Sequence, residues 1–415
     1  MNEISKKGWI RKIAVAGAFC LFVLVIYLGM RSTPGRLSDF TGYYTASSIL
    51  AHRTSIPDMY RDELFTDQVR KLGLRDTGMV MYVNPPPVSL IMVPLVGLDP
   101  EKAKLVWNSL SVCIALLIYL LYTRWSGLSD LFWHKLLLFG LLVCTLPFLR
   151  NLQRGQVYIL MLLFVLMLWR GILTRNDLLT GISLALLLLL KYFGWMFIIF
   201  LAIERRWRAV AIAVLVFFLG SAATLYVVGG ETYAAHVQRL FSSFASYDAA
   251  ITGLPNVAAF FGKFLVYHSQ WNTGVLVDSP GLATALTLMS LLAMLVVTLR
   301  KRQVEGEPPG RTFFGLLVLG VLFTPMAAEH HFILLVLPLF FLLEHFVATG
   351  EIHFSTLALP GILVYSILGW YDVGGAPLIA FVRLFGSVAL WVLLVRRGVQ
   401  EGTSSGVVIG PSIDK

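Results

Sequence analysis

The chain has 415 residues, 57% hydrophobic and only 13% charged, with a mean hydropathy of +0.78. Soluble domains carry about a quarter charged residues, so this composition excludes an ordinary water-soluble globule. The net charge of +10 falls mostly at the ends of apolar runs, where it sets membrane orientation and does not point to nucleic acid.

Apolar runs of roughly 20 residues recur along the chain, enough to cross a hydrocarbon core of about 30 Å. In lipid the backbone must satisfy its own hydrogen bonds, so such runs are helices; barrel strands would alternate apolar and polar positions. The pattern predicts helices over 13–30, 104–123, 132–149, 157–170, 178–191, 193–204, 209–228, 281–299, 312–326, 331–348, 354–370 and 377–395. The first follows Lys6, Lys7, Arg11 and Lys12. No small-residue cleavage site follows it, so it reads as a retained helix with its basic flank inside. With that start, Arg124 and Lys135, Arg170 and Arg175, Arg205-Arg206-Arg208, Arg300-Lys301-Arg302 with Arg311, and Arg396-Arg397 all fall on the inner side. The expected fold is all-α: a polytopic bundle of about twelve transmembrane helices, one domain over 1–398, with both termini cytoplasmic. The stretch 178–204 reads as two short helices or one irregular long one.

Two outer loops are long, 31–103 and 229–280. In the first, Thr41–Ala51 and Asp62–Leu72 read as short helices. After Tyr82-Val-Asn84-Pro-Pro-Pro, the stretch 86–97 is too short to cross and reads as a helix at the interface. The second loop carries Tyr233, Phe241, Phe244, Tyr247 and the apolar stretch Val257–Val266. The Gly- and Ser-rich tail 399–415 reads as a disordered cytoplasmic segment. Cys20, Cys113 and Cys144 lie inside apolar runs, as packing residues do, and suggest neither disulfides nor a metal site.

The segment Asp39-Phe40-Thr-Gly-Tyr43-Tyr44-Thr-Ala46, just after the first helix, resembles glycosyltransferase family 87, a branch of the GT-C class of membrane glycosyltransferases. The resemblance continues in order through Asp58-Met-Tyr60, Tyr82 to Pro86, Pro94-Leu95, Trp107, Gly155-Gln156, Lys191, Glu204-Arg205-Arg206-Trp207, and Pro325 to His330-His331. It implies a GT-C fold and a polyprenyl-phosphate-sugar donor, as in mannosyltransferases and related arabinofuranosyltransferases. It also implies outer loops that form a site over a lipid groove, in a bacterial inner membrane with the site extracytoplasmic. One departure is Ala327-Ala328-Glu329 before the histidine pair, where mannosyltransferase relatives tend to carry Ser-Trp; this bears on acceptor preference.

Such a transfer has phosphate as its leaving group. It needs a base for the acceptor hydroxyl and cations for the departing phosphate, with no carboxylate pair. Asp39 is the candidate base; the plainer reading is an N-cap for the helix beginning near Thr41. His330 and His331 are candidate partners, with His330 preferred; the plainer reading is an interfacial pair with no chemical role. Adjacent helix positions point apart, and no third ligand is evident, so no metal is expected. Lys191, Arg150 and Arg154 are cations on the outer face, against the general charge rule, and are candidates for the donor phosphate. Lipid headgroups explain Arg150 and Arg154 equally well. Tyr43, Tyr44, Tyr82, Asn84 and Gln156 are candidates for sugar or acceptor contacts, although an interfacial aromatic belt also places tyrosines there.

The partners expected are a lipid-linked sugar donor, a glycolipid or polysaccharide acceptor and membrane lipid, without nucleic acid and without a cofactor. The competing readings are a secondary transporter or flippase of a lipid-linked saccharide, and a scaffold lacking catalysis. A transporter tends to show internal repeats and midplane polar residues. No repeat is visible here, and most charges sit at helix ends.

Overall fold

A computed structural model describes residues 3–31, 37–54, 56–74, 82–126, 132–245, 254–269, 272–302, 309–324, 327–349, 354–369 and 377–396. The expected tail, 399–415, and Pro325 lie outside the described residues. What is described is helical, apart from one isolated bridge between His268 and Asn272.

The chain opens with α1 (Glu3–Met30) and enters the first loop through α2 (Phe40–His52), a 3-10 turn (Ile56–Tyr60) and α3 (Asp62–Lys71). Next come α4 (Pro86–Met92), running into a 3-10 turn (Val93–Leu95), and α5 (Pro100–Trp125). The central bundle follows as α6 (Phe132–Val143), α7 (Leu146–Arg154), α8 (Tyr158–Leu173), α9 (Asp177–Lys191), α10 (Trp195–Ile203) and α11 (Trp207–Val228). The second long loop contains α12 (Gly230–Ala245) and α13 (Val257–Leu265). The remainder is α14 (Pro280–Arg302), α15 (Pro309–Leu322), a 3-10 segment (Glu329–Leu335), α16 (Val336–Thr349), α17 (Phe354–Leu368) and α18 (Pro377–Val395).

Among the described residues four helices are long and apolar enough to cross a membrane: Gly8–Met30, Pro100–Trp125, Trp207–Val228 and Pro280–Arg300. The bent pair α6 and α7 makes a fifth if taken as one span. The other expected crossings fall on shorter helices. The 16 residues of α8, for example, rise about 24 Å at 1.5 Å per residue, which is less than a hydrocarbon core.

Two expected helices are interrupted. The run 132–149 breaks between α6 and α7 with a 41° bend. Thr145 is extended there, and Pro147, in the first turn of α7, has no N–H to carry the α6 ladder onward. The run 331–348 begins as a tight 3-10 segment before it becomes α16. In 178–204 the structure gives two helices, α9 and α10, separated by left-handed Tyr192 (φ 51°) and Gly194 (φ 92°).

Lipid is as apolar as leucine, so helices in it associate through close packing more than through escape from water. Small residues supply that packing here. A Cβ on Gly181 would lie 2.6 Å from Ile212, and one on Gly220 would lie 2.7 Å from Leu189, so α9 and α11 touch almost backbone to side chain. Gly29 does the same for α1 against Leu152 of α7. An aromatic cluster fills the centre, with Phe197 and Phe313 stacked at 4.6 Å and Trp169 against Phe313 and Phe314. One continuous hydrophobic core runs from Val25 in α1 to Leu394 in α18.

The two ends of the bundle differ. At one, Arg206 pairs with Asp177, its Nε 2.8 Å from the carboxylate, beside the start of α9. At the other, α2, α4, the C-termini of α7 and α9, and the segment Glu329–Leu335 converge.

Candidate active site

The site is built on the end of α7. A helix leaves its last carbonyls without intrahelical partners, and α5 supplies donors for two of them and for one carbonyl just past the turn. Lys104 Nζ donates to the Gln153 carbonyl (2.7 Å), Asn108 Nδ2 to Leu152 (2.9 Å) and Trp107 Nε1 to Gln156 (3.4 Å). All three side chains are buried. The helix stops at Gly155, whose φ of +63° favours glycine. A Cβ there would lie 2.8 Å from the Cβ of Phe40, so the residue after Asp39 rests directly on the turn. That contact brings Arg154 and Gln156, on either side of the glycine, up to Asp39.

Asp39 sits at the N-cap position of α2, but its side chain makes no capping bond. The plainer reading of the sequence therefore does not describe it. Its Oδ2 accepts from Gln156 Nε2 at 2.7 Å and from Arg154 Nη1 at 3.4 Å. Its Oδ1 has no hydrogen-bond partner among the described residues, and the side chain is 37% exposed, while most of the groups around it are buried. Ser38, immediately before it, holds a left-handed φ of 56°. Arg154 is shared: its Nη2 lies 3.9 Å from Glu329 Oε2. Gln156 is held from both sides, because its Oε1 accepts from the Tyr43 hydroxyl at 2.6 Å. Burial, then the neighbouring Tyr158 and Asp39, push the Tyr43 hydroxyl well above its ordinary pKa, so it stays a donor.

Lys191, at the end of α9, donates to Asn84 Oδ1. Its ammonium lies 5.4 Å from the Tyr158 ring and 5.8 Å from the Tyr43 ring, within cation–π reach of both. The Tyr158 ring also meets the histidine pair, with ring centroids at 5.2 Å from His330 and 4.2 Å from His331. The two imidazoles stack on each other at 4.4 Å. Asn151 of α7 fixes this segment by donating to the His330 carbonyl at 2.9 Å. The Ala328 N–H donates to His331 Nδ1 at 3.0 Å, whereas His330 Nδ1 is buried without a partner. Burial, reinforced by His331, Arg154 and Lys191, holds the His330 imidazole well below its ordinary pKa, hence neutral near pH 7.

Asp39, Tyr43, Asn84, Arg154, Gln156, Lys191, His330 and His331 thus meet at one end of the bundle. The remaining candidates do other work in the structure. Arg150 Nη1 donates to Gln153 Oε1 at 2.9 Å. The Tyr44 hydroxyl donates to the Leu98 carbonyl at 2.8 Å and ties α2 to the turn before α5. Tyr82 is buried between Phe65 and Tyr60, each 5.6 Å away. Sequence reasoning missed Tyr158, Glu329 as a partner of Arg154, and the donors from Lys104 and Asn108. A buried lysine at the start of an apolar helix was the one available signal. Among the described residues no three His, Cys, Asp or Glu side chains converge as metal ligands would.

A helical bundle with membrane-length helices thus gathers a carboxylate, two cations and two imidazoles at one end. The sequence profile of glycosyltransferase family 87 matches residues 82–325, more than half of the chain, and the chain belongs to that family. It is a membrane glycosyltransferase. No curated protein and no solved structure matches it.

Proposed function

We propose that this enzyme moves a hexose, mannose-like, or a pentose from a polyprenyl-phosphate donor to a glycolipid or glycan acceptor at the extracytoplasmic face of a bacterial inner membrane. No cofactor enters the reaction. Asp39 Oδ1 takes the proton of the acceptor hydroxyl, whose oxygen attacks the anomeric carbon as the bond to the phosphate oxygen breaks. A single displacement of this kind inverts the anomeric centre. Arg154 and Lys191 stabilise the charge that gathers on the departing phosphate. His330 and His331, kept neutral, border the same space; their rings offer donors to phosphate oxygens without adding charge. Tyr43 and Tyr158, both buried, flank the Lys191 ammonium and help to hold it in place.

The observation that carries this reading is the Oδ1 of Asp39, without a hydrogen-bond partner among the described residues on a side chain 37% exposed, beside Arg154 and in a shell whose other polar groups are mostly buried and paired. A phosphate leaving group requires a base and cations, and no second carboxylate placed as a general acid. Glu329, the other carboxylate that Arg154 meets, lies 3.9 Å from its Nη2. Convergence of the polar residues under the first loop favours transfer over transport, which needs a polar path through the midplane.

The test presents membranes carrying the protein with radiolabelled polyprenyl-phosphate mannose, glucose and arabinofuranose, and with the matching nucleotide sugars. Label entering lipid or glycan from one polyprenyl-phosphate sugar supports the proposal. Incorporation from nucleotide sugars alone contradicts it.

A further inference from the structure

We infer that Gln156 is a positioning residue for Asp39, locked by Tyr43, and that it leaves Oδ1 as the oxygen that takes the acceptor proton. This rests on the reading of Asp39 as base and assigns Gln156 a task other than holding sugar.

Chemistry fixes the orientation of the amide. A carboxylate only accepts hydrogen bonds, so the group 2.7 Å from Asp39 Oδ2 is the Gln156 NH2. The amide oxygen then faces Tyr43, which must donate, at 2.6 Å. The bond to Asp39 therefore sets the direction of the relay, and reversing the amide would turn its oxygen onto the carboxylate and lose that bond. The backbone around Gln156 is equally tied. Its N–H donates to the Asn151 carbonyl at 2.9 Å, and its carbonyl accepts from Trp107. The side chain is 6% exposed and Tyr43 only 1%, so neither presents much surface to a substrate. Arg154 adds its bond to the same oxygen, Oδ2. Two donors thus load one carboxylate oxygen and none loads the other, which selects both the rotamer and the reactive atom. A base held within a narrow angular range gains rate through orientation, while donor binding is untouched.

The test measures kcat and KM, with the polyprenyl-phosphate sugar selected by the donor panel, for Gln156→Leu, Tyr43→Phe and Asp39→Asn. Binding of sugar-free polyprenyl phosphate and thermal melting in detergent are read on the same preparations. The expected result for Gln156→Leu is a fall in kcat of about 10–100-fold, as for loss of a bond to a charged group. Donor KM and polyprenyl-phosphate binding stay within about threefold, and Tyr43→Phe shows a smaller fall of the same kind. A loss carried mainly by KM makes Gln156 a sugar contact and overturns the inference, as does an unchanged kcat. Should Gln156→Leu fail to fold, Tyr43→Phe decides by the same split, since it removes a single oxygen. An active Asp39→Asn variant sinks the underlying reading together with the inference. An inactive Asp39→Asn beside a fully active Gln156→Leu sinks the inference alone.

Discussion

Phe40 lies against the bare Cα of Gly155, so closely that a methyl group added there would sit 2.8 Å from the Phe40 Cβ. The contact joins the residue after Asp39 to the one between Arg154 and Gln156, and it sets the spacing of the whole site. Alanine at 155 meets a left-handed φ that costs about 1–2 kcal/mol for an L side chain, together with an overpacking cost of about 1–3 kcal/mol. Gly155→Ala is expected to lower the melting temperature in detergent and to reduce transfer by at least about tenfold. Wild-type values for both would show that the turn has slack.

Asn151 is the tie between α7 and the histidine segment. Its amide donates to the Pro147 carbonyl at 2.8 Å and to the His330 carbonyl at 2.9 Å, wholly buried. Asn151→Leu leaves the His330 carbonyl without that donor, at a cost of about 1–3 kcal/mol. The expected outcome is a less stable protein with impaired transfer, checked by melting and by activity on the same sample.

Lys191 reaches the site end from α9 with Tyr43 and Tyr158 beside its ammonium. If it binds the donor phosphate, Lys191→Met raises donor KM by about 10–100-fold, the worth of a charge-assisted bond. Lys191→Arg restores part of the affinity. An unchanged donor KM in the methionine variant removes Lys191 from the phosphate site.

His236 of α12 is buried between Tyr60, 4.9 Å away, and Tyr192, whose hydroxyl is 3.0 Å from Nε2. Close by, Arg239 pairs with Asp62 at 3.0 Å, so α12 of the second loop docks on the first. Burial pushes the His236 imidazole down to about 4. The unfolded chain, with an ordinary histidine pKa of about 6.5, therefore takes up the proton first as the pH falls. Stability from this residue is complete above pH about 6.5 and is lost between there and about 4, by at most about 1.4 kcal/mol per pH unit. Melting curves from pH 8 to 4.5 should show that slope in the wild type and a shallower one in His236→Gln. Equal slopes would mean that other groups govern acid sensitivity.

Most helices were legible because apolar runs bounded by charges leave little choice: α1, α5, α11 and α14 fall within a few residues of their expected positions, apart from the ten-residue N-terminal extension of α1. Others were harder. The 230–245 stretch mixes polar and apolar residues, and it forms α12 by docking on the first loop, which no local pattern announces. The α6–α7 break was encoded in Pro147, yet the continuous hydrophobicity around it masks a proline in a first turn. At the site, Asp39, Lys191 and the histidine pair were accessible as charges or imidazoles in unusual places. The pairing of Asp39 with Gln156 was not, since it spans 117 positions and depends on a glycine turn and three donors from α5. For the same reason the capping reading of Asp39 looked sound from sequence. The cap position is right, but the side chain is drawn away by partners that only the fold brings near.

The most direct test of the account is the initial rate of sugar transfer by Asp39→Asn, measured on protein whose melting temperature matches that of the wild type. Asparagine keeps the shape of the residue and removes the basic oxygen, so the account predicts a loss of at least about 100-fold, the scale of general-base catalysis. A rate within about threefold of wild type would contradict it.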